Sequence, residues 1–301
     1  MKPLLLAAPG DSSAARAMAG RMDADLGAAT VRSFPDGELY VRIDCAVAGR
    51  AVWIVSTLHP AGEKLLPVYF MAQTARDLGA SAVYLAAPYL AYMRQDERFE
   101  DGEGITARYF GRLLSSAVDG LVTVDPHLHR LAALAEVYSV PTRVVAAAPR
   151  IAAWVRQNVE RPALVGPDAE SVQWVAAVAA ELDCPTLILT KVRRGDRDVS
   201  ISPLDEGARQ GAAIDWSTHT PVLVDDIVST ARTMIETVAR LRSAGATSPI
   251  CVGVHAVFCE RAYDDLVEAG AARVVTCNTI PHPSNAIDVL DLLADAMDRF
   301  P

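Results

Sequence analysis

Short, almost fully apolar runs alternate along the chain with segments in which apolar residues recur every three or four positions. Strands buried on both faces of a parallel sheet read as continuous apolar runs, so the short runs predict such strands. The predicted strands are Lys2–Ala8, Ala51–Ser56, Ala82–Ala87, Gly120–Val124, Ala163–Val165, Thr186–Thr190, Pro221–Val224, Ile250–His255 and Arg273–Thr276.

Helical periodicity occupies the segments between these strands. Strands that alternate with amphipathic helices predict an α/β fold, in which mostly parallel sheets are flanked by helices. The apolar stripes that indicate helices include Phe110, Leu113, Leu114 and Ala117; Val172, Val175, Ala176 and Ala179; and Met234, Val238 and Leu241.

The two halves of the chain repeat one pattern, in which a strand ends at an acidic residue and a loop and a helix follow. Asp125 holds this place in the first half, and Asp168 and Asp225–Asp226 hold it in the second. We therefore expect two domains, 1–147 and 148–284, and a last helix, 285–300, that packs on the first domain.

Composition and charge narrow the classes of function. The chain has 301 residues, 51% of them hydrophobic, which is enough for two cores. A net charge of −9 argues against nonspecific binding of nucleic acid, because phosphate backbones favour clustered Lys and Arg. No apolar stretch predicts a membrane span or a signal peptide, and five cysteines without CxxC spacing indicate reduced thiols, so we expect a cytoplasmic protein.

The segment Thr220–Met234 carries the strongest chemical pattern. An apolar strand delivers two adjacent acids, Asp225 and Asp226, into a turn rich in hydroxyl groups and then into a helix. Turn amides and a helix N-terminus can hold a phosphate, and the carboxylates can hold sugar hydroxyls or a metal bound to them. A plain N-cap with solvated acids is the alternative for this segment taken alone.

This segment resembles the phosphoribosyl-pyrophosphate loop of type I phosphoribosyltransferases and of ribose-phosphate pyrophosphokinases. Other segments resemble motifs of the pyrophosphokinases in particular, and they follow one another in the family's order from Phe34 to Pro281. These segments are Phe34–Ile43, Pro88–Arg98, Gly104–Arg108, Asp125–His127, Pro167–Ala169, Lys191–Arg194 and Asn278–Pro281.

The resemblance implies two type I phosphoribosyltransferase-like domains and transfer of the pyrophosphoryl group of ATP to O1 of ribose 5-phosphate, with Mg²⁺ as cofactor. It also implies a homo-oligomer, a dimer or a multiple of dimers, whose subunits share the ATP site. The implied catalytic residues are Lys191, Arg193 and His127, and the implied metal ligands are His127 and Asp168. The implied ATP contacts are Phe34, Asp36 and Glu38, from a neighbouring subunit, with Arg94, Gln95 and Asp96. The implied ribose 5-phosphate contacts are Asp225, Asp226, Ser229, Thr230, Ala231, Arg232 and Thr233.

Three positions depart from the family pattern: Ser229 often is Asp, Arg232 usually is Gly, and Pro126 replaces an apolar residue. Because Gly lets a backbone approach phosphate closely, Arg232 implies either a helical backbone there or a guanidinium that meets the phosphate. Pro126 removes one amide and stiffens its turn.

Two other functions stay open at this point. A plain phosphoribosyltransferase would lack the motifs of the first half and the Lys191–Arg194 loop. A non-catalytic regulatory relative would have lost His127, Lys191 or Arg193, and all three are present.

Many members of this family bind phosphate or ADP at a second, regulatory site formed partly by basic and hydroxyl residues after the Arg-Gln-Asp stretch. Here Glu97–Gly104 carries acids at Glu100, Asp101 and Glu103. Since carboxylates repel a dianion, we expect that this site is absent.

Overall fold

The computed structural model of the protein describes residues 1–189 and 214–301 in full and, between them, the backbone of 191–193, 199–201 and 208–209. Contacts between Cα atoms divide the chain into two compact units. The first comprises Met1–Val145 and Val289–Pro301, and the second comprises Ala146–Asp288.

The elements alternate along both units. The described strands are β1 Leu4–Ala7, β2 Asp25–Leu26, β3 Ala29–Ser33, β4 Leu39–Ile43, β5 Ala51–Val55, β6 Ala82–Ala87, β7 Gly120–Val124, β8 Thr142–Val145, β9 Pro162–Gly166, β10 Thr186–Ile188, β11 Lys191–Arg193, β12 Val199–Ile201, β13 Ala208–Arg209, β14 Thr220–Val228, β15 Ile250–Ala256, β16 Arg273–Cys277 and β17 Asn285–Ile287. The described α-helices are α1 Ser12–Ala19, α2 Ala61–Asp77, α3 Thr106–Ala117, α4 Ala148–Asn158, α5 Val172–Ala179, α6 Arg232–Ser243, α7 Ala262–Glu268 and α8 Leu290–Asp298.

The first unit contains a six-stranded parallel sheet in the order β2-β1-β5-β6-β7-β8, and β3 and β4 form a separate antiparallel hairpin. α8 packs against α1, β7 and β8. Phe300, just beyond α8, lies edge-on to Trp53 and Tyr84, with ring centroids 5.5 and 5.4 Å apart. These aromatic contacts attach the end of the chain to the sheet of the first unit.

The second unit contains a seven-stranded sheet in the order β13-β10-β9-β14-β15-β16-β17, parallel except for the pairing of β13 with β10. The stripe of Met234, Val238 and Leu241 on α6 is buried against this sheet, as its spacing predicted. With the parallel sheet of the first unit, this sheet confirms the predicted α/β fold.

The helix predicted from Asn285 begins later, at Leu290, because Asn285 belongs to β17. The Asn285 side-chain amide donates hydrogen bonds to Thr276 Oγ1 (2.8 Å) and to the Cys277 carbonyl (2.9 Å), and its Oδ1 accepts one from the amide of His282 (3.0 Å). These bonds keep the segment extended beside β16, so the prediction of a helix from residue 285 is wrong over its first residues.

α5 buries only part of the predicted stripe, Val175, together with two residues outside it. Trp174, Val175 and Val178 face the core, whereas Val172 is 37% exposed. Val172 and Ala176 line an open cavity of about 430 Å³. α5 is apolar on nearly all sides, so periodicity did not determine which side packs.

No helix in the described ranges has both the length and the apolar character that crossing a bilayer requires.

Candidate active site

The acidic pair Asp225–Asp226 lies near the carboxyl end of β14, in the middle of the sheet of the second unit. β14 lies between β9 and β15, with Asp225 opposite Gly253 on β15. Asp226 is buried, and Asp225 is half-buried. The Asp226 amide donates to Asp225 Oδ1 (3.0 Å) and the Ile227 amide donates to Asp226 Oδ1 (2.8 Å), so the local backbone orients both carboxylates.

The turn after β14 leads directly into the N-terminus of α6. Ala231 has a left-handed backbone, with φ of 55°, and Arg232 is the first residue of the helix. The helical alternative for Arg232 is therefore the one that the structure adopts, and the side chain of Arg232 is exposed. Thr230 is exposed and Thr233 half-buried beside the first turn of α6. Hydroxyl groups beside the first-turn amides of a helix are a suitable environment for an anion.

Asp168 follows β9, the strand next to β14 in the same sheet. Its Oδ1 accepts hydrogen bonds from the amides of Glu170 (3.0 Å) and Ser171 (3.2 Å), and the Ser171 hydroxyl donates to the Asp168 carbonyl (2.6 Å). Because neighbouring parallel strands end at one edge of a sheet, the topology brings Asp168 to the same edge as Asp225 and Asp226.

The three carboxylates act on one another electrostatically. Burial of the carboxylate, and then the charges of Asp226 and Asp168, raise the pKa of Asp225 well above its usual value. A cation at this edge would relieve that repulsion. Within the described residues, no group of three His, Cys, Asp or Glu side chains could hold a metal ion. Carboxylate oxygens are ligands of the kind that Mg²⁺ takes, commonly one or two from the protein, with water and substrate phosphate oxygens completing its shell.

Cys259 contacts the turn from the connection between β15 and α7. Its amide donates to the Ser229 carbonyl (3.1 Å), and its Sγ lies 3.2 Å from Ser229 Oγ. Cys259 is the exposed one of the five cysteines, all of which lie in the described ranges. This contact was not predictable from the sequence, because thirty residues separate the partners.

In the first unit, the Asp125–His127 segment follows β7 directly. Asp125 has φ of 30°, a rare value for a residue with a side chain, and its amide donates to the Val145 carbonyl (3.0 Å). His127 is half-buried, and its ring lies 6.2 Å from that of His129. This tight turn brings His127 to the carboxyl end of the first sheet, where ligands bind in open α/β sheets.

The predicted ATP contacts Phe34, Asp36 and Glu38 lie on the exposed loop between β3 and β4. The amide of Phe34 donates to the Glu38 carbonyl (2.7 Å), and Asp36 Oδ1 accepts from the Glu38 amide (3.0 Å), which closes the turn. The Arg32 guanidinium lies 4.7 Å from the Phe34 ring centre, and Phe34 remains 39% exposed. The loop of this hairpin thus exposes an aromatic ring and two carboxylates at the protein surface.

The stretch Arg94–Asp96 divides into an exposed part and a buried part. Arg94 and Gln95 are exposed, whereas the side chain of Asp96 has no exposed surface. Gln95 Oε1 accepts a hydrogen bond from Thr106 Oγ1. Asp96 Oδ1 pairs with Arg130 Nη1 at 3.1 Å, a partner that the sequence did not reveal.

The predicted catalytic residues Lys191 and Arg193 lie in β11, which pairs with β12. Their side chains lie outside the described residues. The structure thus brings together Asp168, Asp225, Asp226 and the Ser229–Thr233 turn in the second unit, and it describes His127, Arg94–Asp96 and the Phe34–Glu38 loop separately in the first.

Comparisons with protein families match both parts of the chain. Residues 4–117 match the model described as the N-terminal domain of ribose phosphate pyrophosphokinase. Residues 138–291 match the phosphoribosyl transferase domain.

Curated proteins and a solved structure are similar over nearly the whole chain. The ribose-phosphate pyrophosphokinase of Methanothermobacter thermautotrophicus is 33% identical over 286 residues, which cover 94% of this chain and 95% of the relative. That of Methanopyrus kandleri is 32% identical over 287 residues, which cover 95% of each. The crystal structure of phosphoribosylpyrophosphate synthetase from Mycobacterium smegmatis superposes with a TM-score of 0.85 at 25% identity, covering 99% of this chain and 98% of that one.

Proposed function

The chain belongs to the ribose-phosphate pyrophosphokinase family of enzymes, as its ordered motifs predicted, and we propose that it transfers the pyrophosphoryl group of ATP to O1 of ribose 5-phosphate. The products are 5-phosphoribosyl 1-pyrophosphate and AMP. The observation that carries the proposal is the end of β14, where two carboxylates, a hydroxyl-bearing turn and a helix N-terminus follow one another. Such a site suits a sugar that carries a phosphate.

Ribose 5-phosphate occupies this site with its two ends in different surroundings. The phosphate meets the amides and hydroxyls of Ser229, Thr230 and Thr233 at the start of α6, where the helix dipole favours negative charge. Asp225 and Asp226 accept hydrogen bonds from the ribose hydroxyls. Held in this way, the sugar presents O1 for attack on the β-phosphorus of ATP.

The carboxylates at the carboxyl end of the second unit's sheet suit Mg²⁺ as the cofactor, and Asp168 is one of its ligands. When bound, it supplies positive charge to the phosphoryl oxygens of the nucleotide. His127 contacts a nucleotide phosphate or water bound to the metal, because Mg²⁺ itself prefers oxygen ligands. Lys191 and Arg193 add the cationic charge that the transferring group requires.

The nucleotide binds where Arg94 and Gln95 are exposed in the first unit. The Arg94 guanidinium suits triphosphate oxygens, and the Gln95 amide suits an adenine edge. Phe34, Asp36 and Glu38 reach the base from a neighbouring subunit, so the enzyme works as a homo-oligomer with a shared ATP site. We place the reaction in the cytoplasm, because both substrates are phosphorylated metabolites.

A direct assay tests the reaction. Incubation of the purified protein with ATP, ribose 5-phosphate and Mg²⁺ is expected to give AMP and 5-phosphoribosyl 1-pyrophosphate in equal amounts, measured by mass spectrometry. Products that contain a nucleobase attached to ribose 5-phosphate, formed from added bases, would indicate a phosphoribosyltransferase instead. Binding of both substrates without turnover would indicate a regulatory relative. Repeating the assay with other nucleoside triphosphates determines the preferred donor.

Alkylation of Cys259 is expected to block ribose 5-phosphate binding. A carbamidomethyl group on Sγ would displace the Ser229 hydroxyl, which lies 3.2 Å away. We expect iodoacetamide to inactivate the enzyme, ribose 5-phosphate to protect it, and Cys259→Ser to resist inactivation with near-normal KM. Equal inactivation of Cys259→Ser, or no protection by the sugar phosphate, would contradict this expectation.

The enzyme is expected to need no inorganic phosphate for activity. Glu103 Oε2 accepts hydrogen bonds from the amides of Phe99 (2.8 Å) and Glu100 (3.1 Å), so a carboxylate already occupies donors that an anion would use. Arg130, the nearby cation, pairs with Glu97 (2.8 Å) as well as with Asp96.

The measurement is the initial rate against phosphate concentration at fixed ionic strength and free Mg²⁺, with ADP inhibition followed at several ATP levels. Strong activation by phosphate, or ADP inhibition that saturating ATP does not relieve, would show that the regulatory site exists.

A further inference from the structure

Arg130 contacts the stretch Asp96–Phe99, which follows the exposed pair Arg94–Gln95. Its Nη1 lies 3.1 Å from Asp96 Oδ1 and its Nε lies 2.8 Å from Glu97 Oε1. Its guanidinium also lies 5.3 Å from the ring centre of Phe99. One side chain thus contacts three residues of the stretch, and it comes from a different part of the chain, the loop after β7.

Asp96 depends on this contact for its place in the fold. Its side chain has no exposed surface, and its second oxygen, Oδ2, is buried without a hydrogen-bond partner among the described residues. A buried carboxylate without a cation is strongly destabilised, so removal of Arg130 would drive Asp96 towards solvent or towards protonation. Either change moves the backbone on which Asp96 lies.

That backbone also carries Arg94 and Gln95. The exposed pair lies between two buried side chains, Met93, which is 2% exposed, and Asp96. Tyr92 precedes them with a left-handed φ of 63°, and the Gln95 amide donates to its carbonyl (3.2 Å). With one end fixed by Met93 and the other by Asp96, the direction of Arg94 depends on both. Gln95 is held in addition by hydrogen bonds from Thr106 Oγ1 and the Ala107 amide.

We propose that Arg130 is a positioning residue for the nucleotide: through Asp96 and Glu97 it fixes the backbone that presents Arg94 and Gln95. This inference rests on the proposed function, in which Arg94 and Gln95 contact ATP. It also joins two parts of the nucleotide site, because Arg130 lies on the same loop as His127. The rest of that loop is held independently, by bonds from the amides of Ala132 (2.6 Å) and Ala133 (3.3 Å) to Glu136 Oε1.

The test compares Arg130→Met and Arg130→Lys with a matched control, Arg76→Met. Arg76 lies in the same unit, and its side chain has the same exposed fraction as that of Arg130, 35%. It pairs with Asp119 (2.9 Å) and with the Ala117 carbonyl, which precede β7, whereas His127 and Arg130 follow the other end of that strand. A loss of nucleotide binding that comes only from weaker folding would appear in both Met variants.

We expect Arg130→Met to raise the KM for ATP, and the Kd of the unreactive α,β-methylene analogue, about tenfold. The KM for ribose 5-phosphate stays within about a factor of two, because its residues lie in the second unit. Arg130→Lys, which keeps one of the two ion pairs, gives an intermediate value. Arg76→Met lowers the melting temperature and leaves both KM values unchanged.

Three results separate the possible failures. An unchanged analogue Kd in Arg130→Met, while Arg94→Ala weakens analogue binding, overturns the positioning role alone. Unchanged binding in both Arg94→Ala and Arg130→Met overturns the assignment of the nucleotide to this stretch. A parallel rise of both KM values in Arg130→Met and Arg76→Met assigns Arg130 a structural role only.

Discussion

Replacing Lys191 or Arg193 by alanine is expected to lower kcat by roughly 10²–10³-fold and to leave the affinity for ribose 5-phosphate within about a factor of two. The expectation comes from the match of Lys191–Arg194 to the catalytic segment of the family and from the chemistry of the transfer. Negative charge grows on the phosphoryl oxygens and on the departing AMP as O1 attacks. A cation that acts mainly at this stage stabilises the transition state more than the bound substrates. Its removal therefore lowers kcat and leaves the Kd for ribose 5-phosphate nearly unchanged.

Steady-state kinetics together with calorimetric titration of ribose 5-phosphate measure the two quantities separately. Lys191→Arg keeps the charge and is expected to retain more activity than Lys191→Ala. Arg261→Ala serves as the control, because Arg261 is an exposed cation that pairs with Asp265 and Glu268 on α7. Near-normal turnover in Lys191→Ala or Arg193→Ala would remove that residue from the catalytic group.

Nine of the described strands follow apolar runs that the sequence predicted, because most of these nine are buried on both faces. The strands β2, β3, β4, β8 and β17 have more exposed residues and were not predicted. Ala82–Ala87 and Gly120–Val124 have the bounds that the apolar runs predicted, since strands buried on both faces consist mainly of apolar residues. β14 extends beyond its predicted end at Val224 to Val228, because ladder bonds to β15 continue past the acidic pair. The polar residues that ended the predicted strand, Asp225 and Asp226, are the ones to which we assign contacts with ribose 5-phosphate.

Contacts between distant residues were not predictable from a single sequence. Asp96 was expected to face the nucleotide as part of a motif, and the structure pairs it with Arg130, thirty-four residues away. The left-handed position of the Ser229–Thr233 turn is Ala231, whereas the family's glycine pattern directed attention to Arg232. Local pattern therefore indicated the segments to which we assign the site, and the fold showed the partners of their side chains.

Replacing Asp225 or Asp226 by asparagine is expected to weaken ribose 5-phosphate binding by about tenfold or more. A neutral amide keeps one acceptor oxygen, whereas an ionised carboxylate offers two, and hydrogen bonds to charged groups contribute roughly 1.5–3 kcal/mol each. Thr230→Ala and Thr233→Ala are expected to have smaller effects, since the turn amides remain. Calorimetric titration with Mg²⁺ present measures the affinities, and Asp215→Asn, at an exposed turn in the same unit, is the control. Unchanged affinity in both variants of the acidic pair would place the sugar elsewhere.

Asp225→Asn and Asp226→Asn are also expected to stabilise the folded protein, which separates loss of binding from loss of structure. The pKa of Asp225 is raised in the folded state by burial, by Asp226 and by Asp168, so its ionisation opposes folding. Stability attributable to this group is therefore fully present below the usual carboxyl pKa and declines as the pH rises towards the raised value. Asp226→Asn removes one of the repelling charges, so in metal-free buffer its melting temperature should exceed that of the parent at neutral pH, and the difference should vanish in acid. Thermal unfolding at several pH values measures this difference. A lower melting temperature at neutral pH would mean that the carboxylate pair supports the fold, and the weaker sugar binding would then have a structural cause.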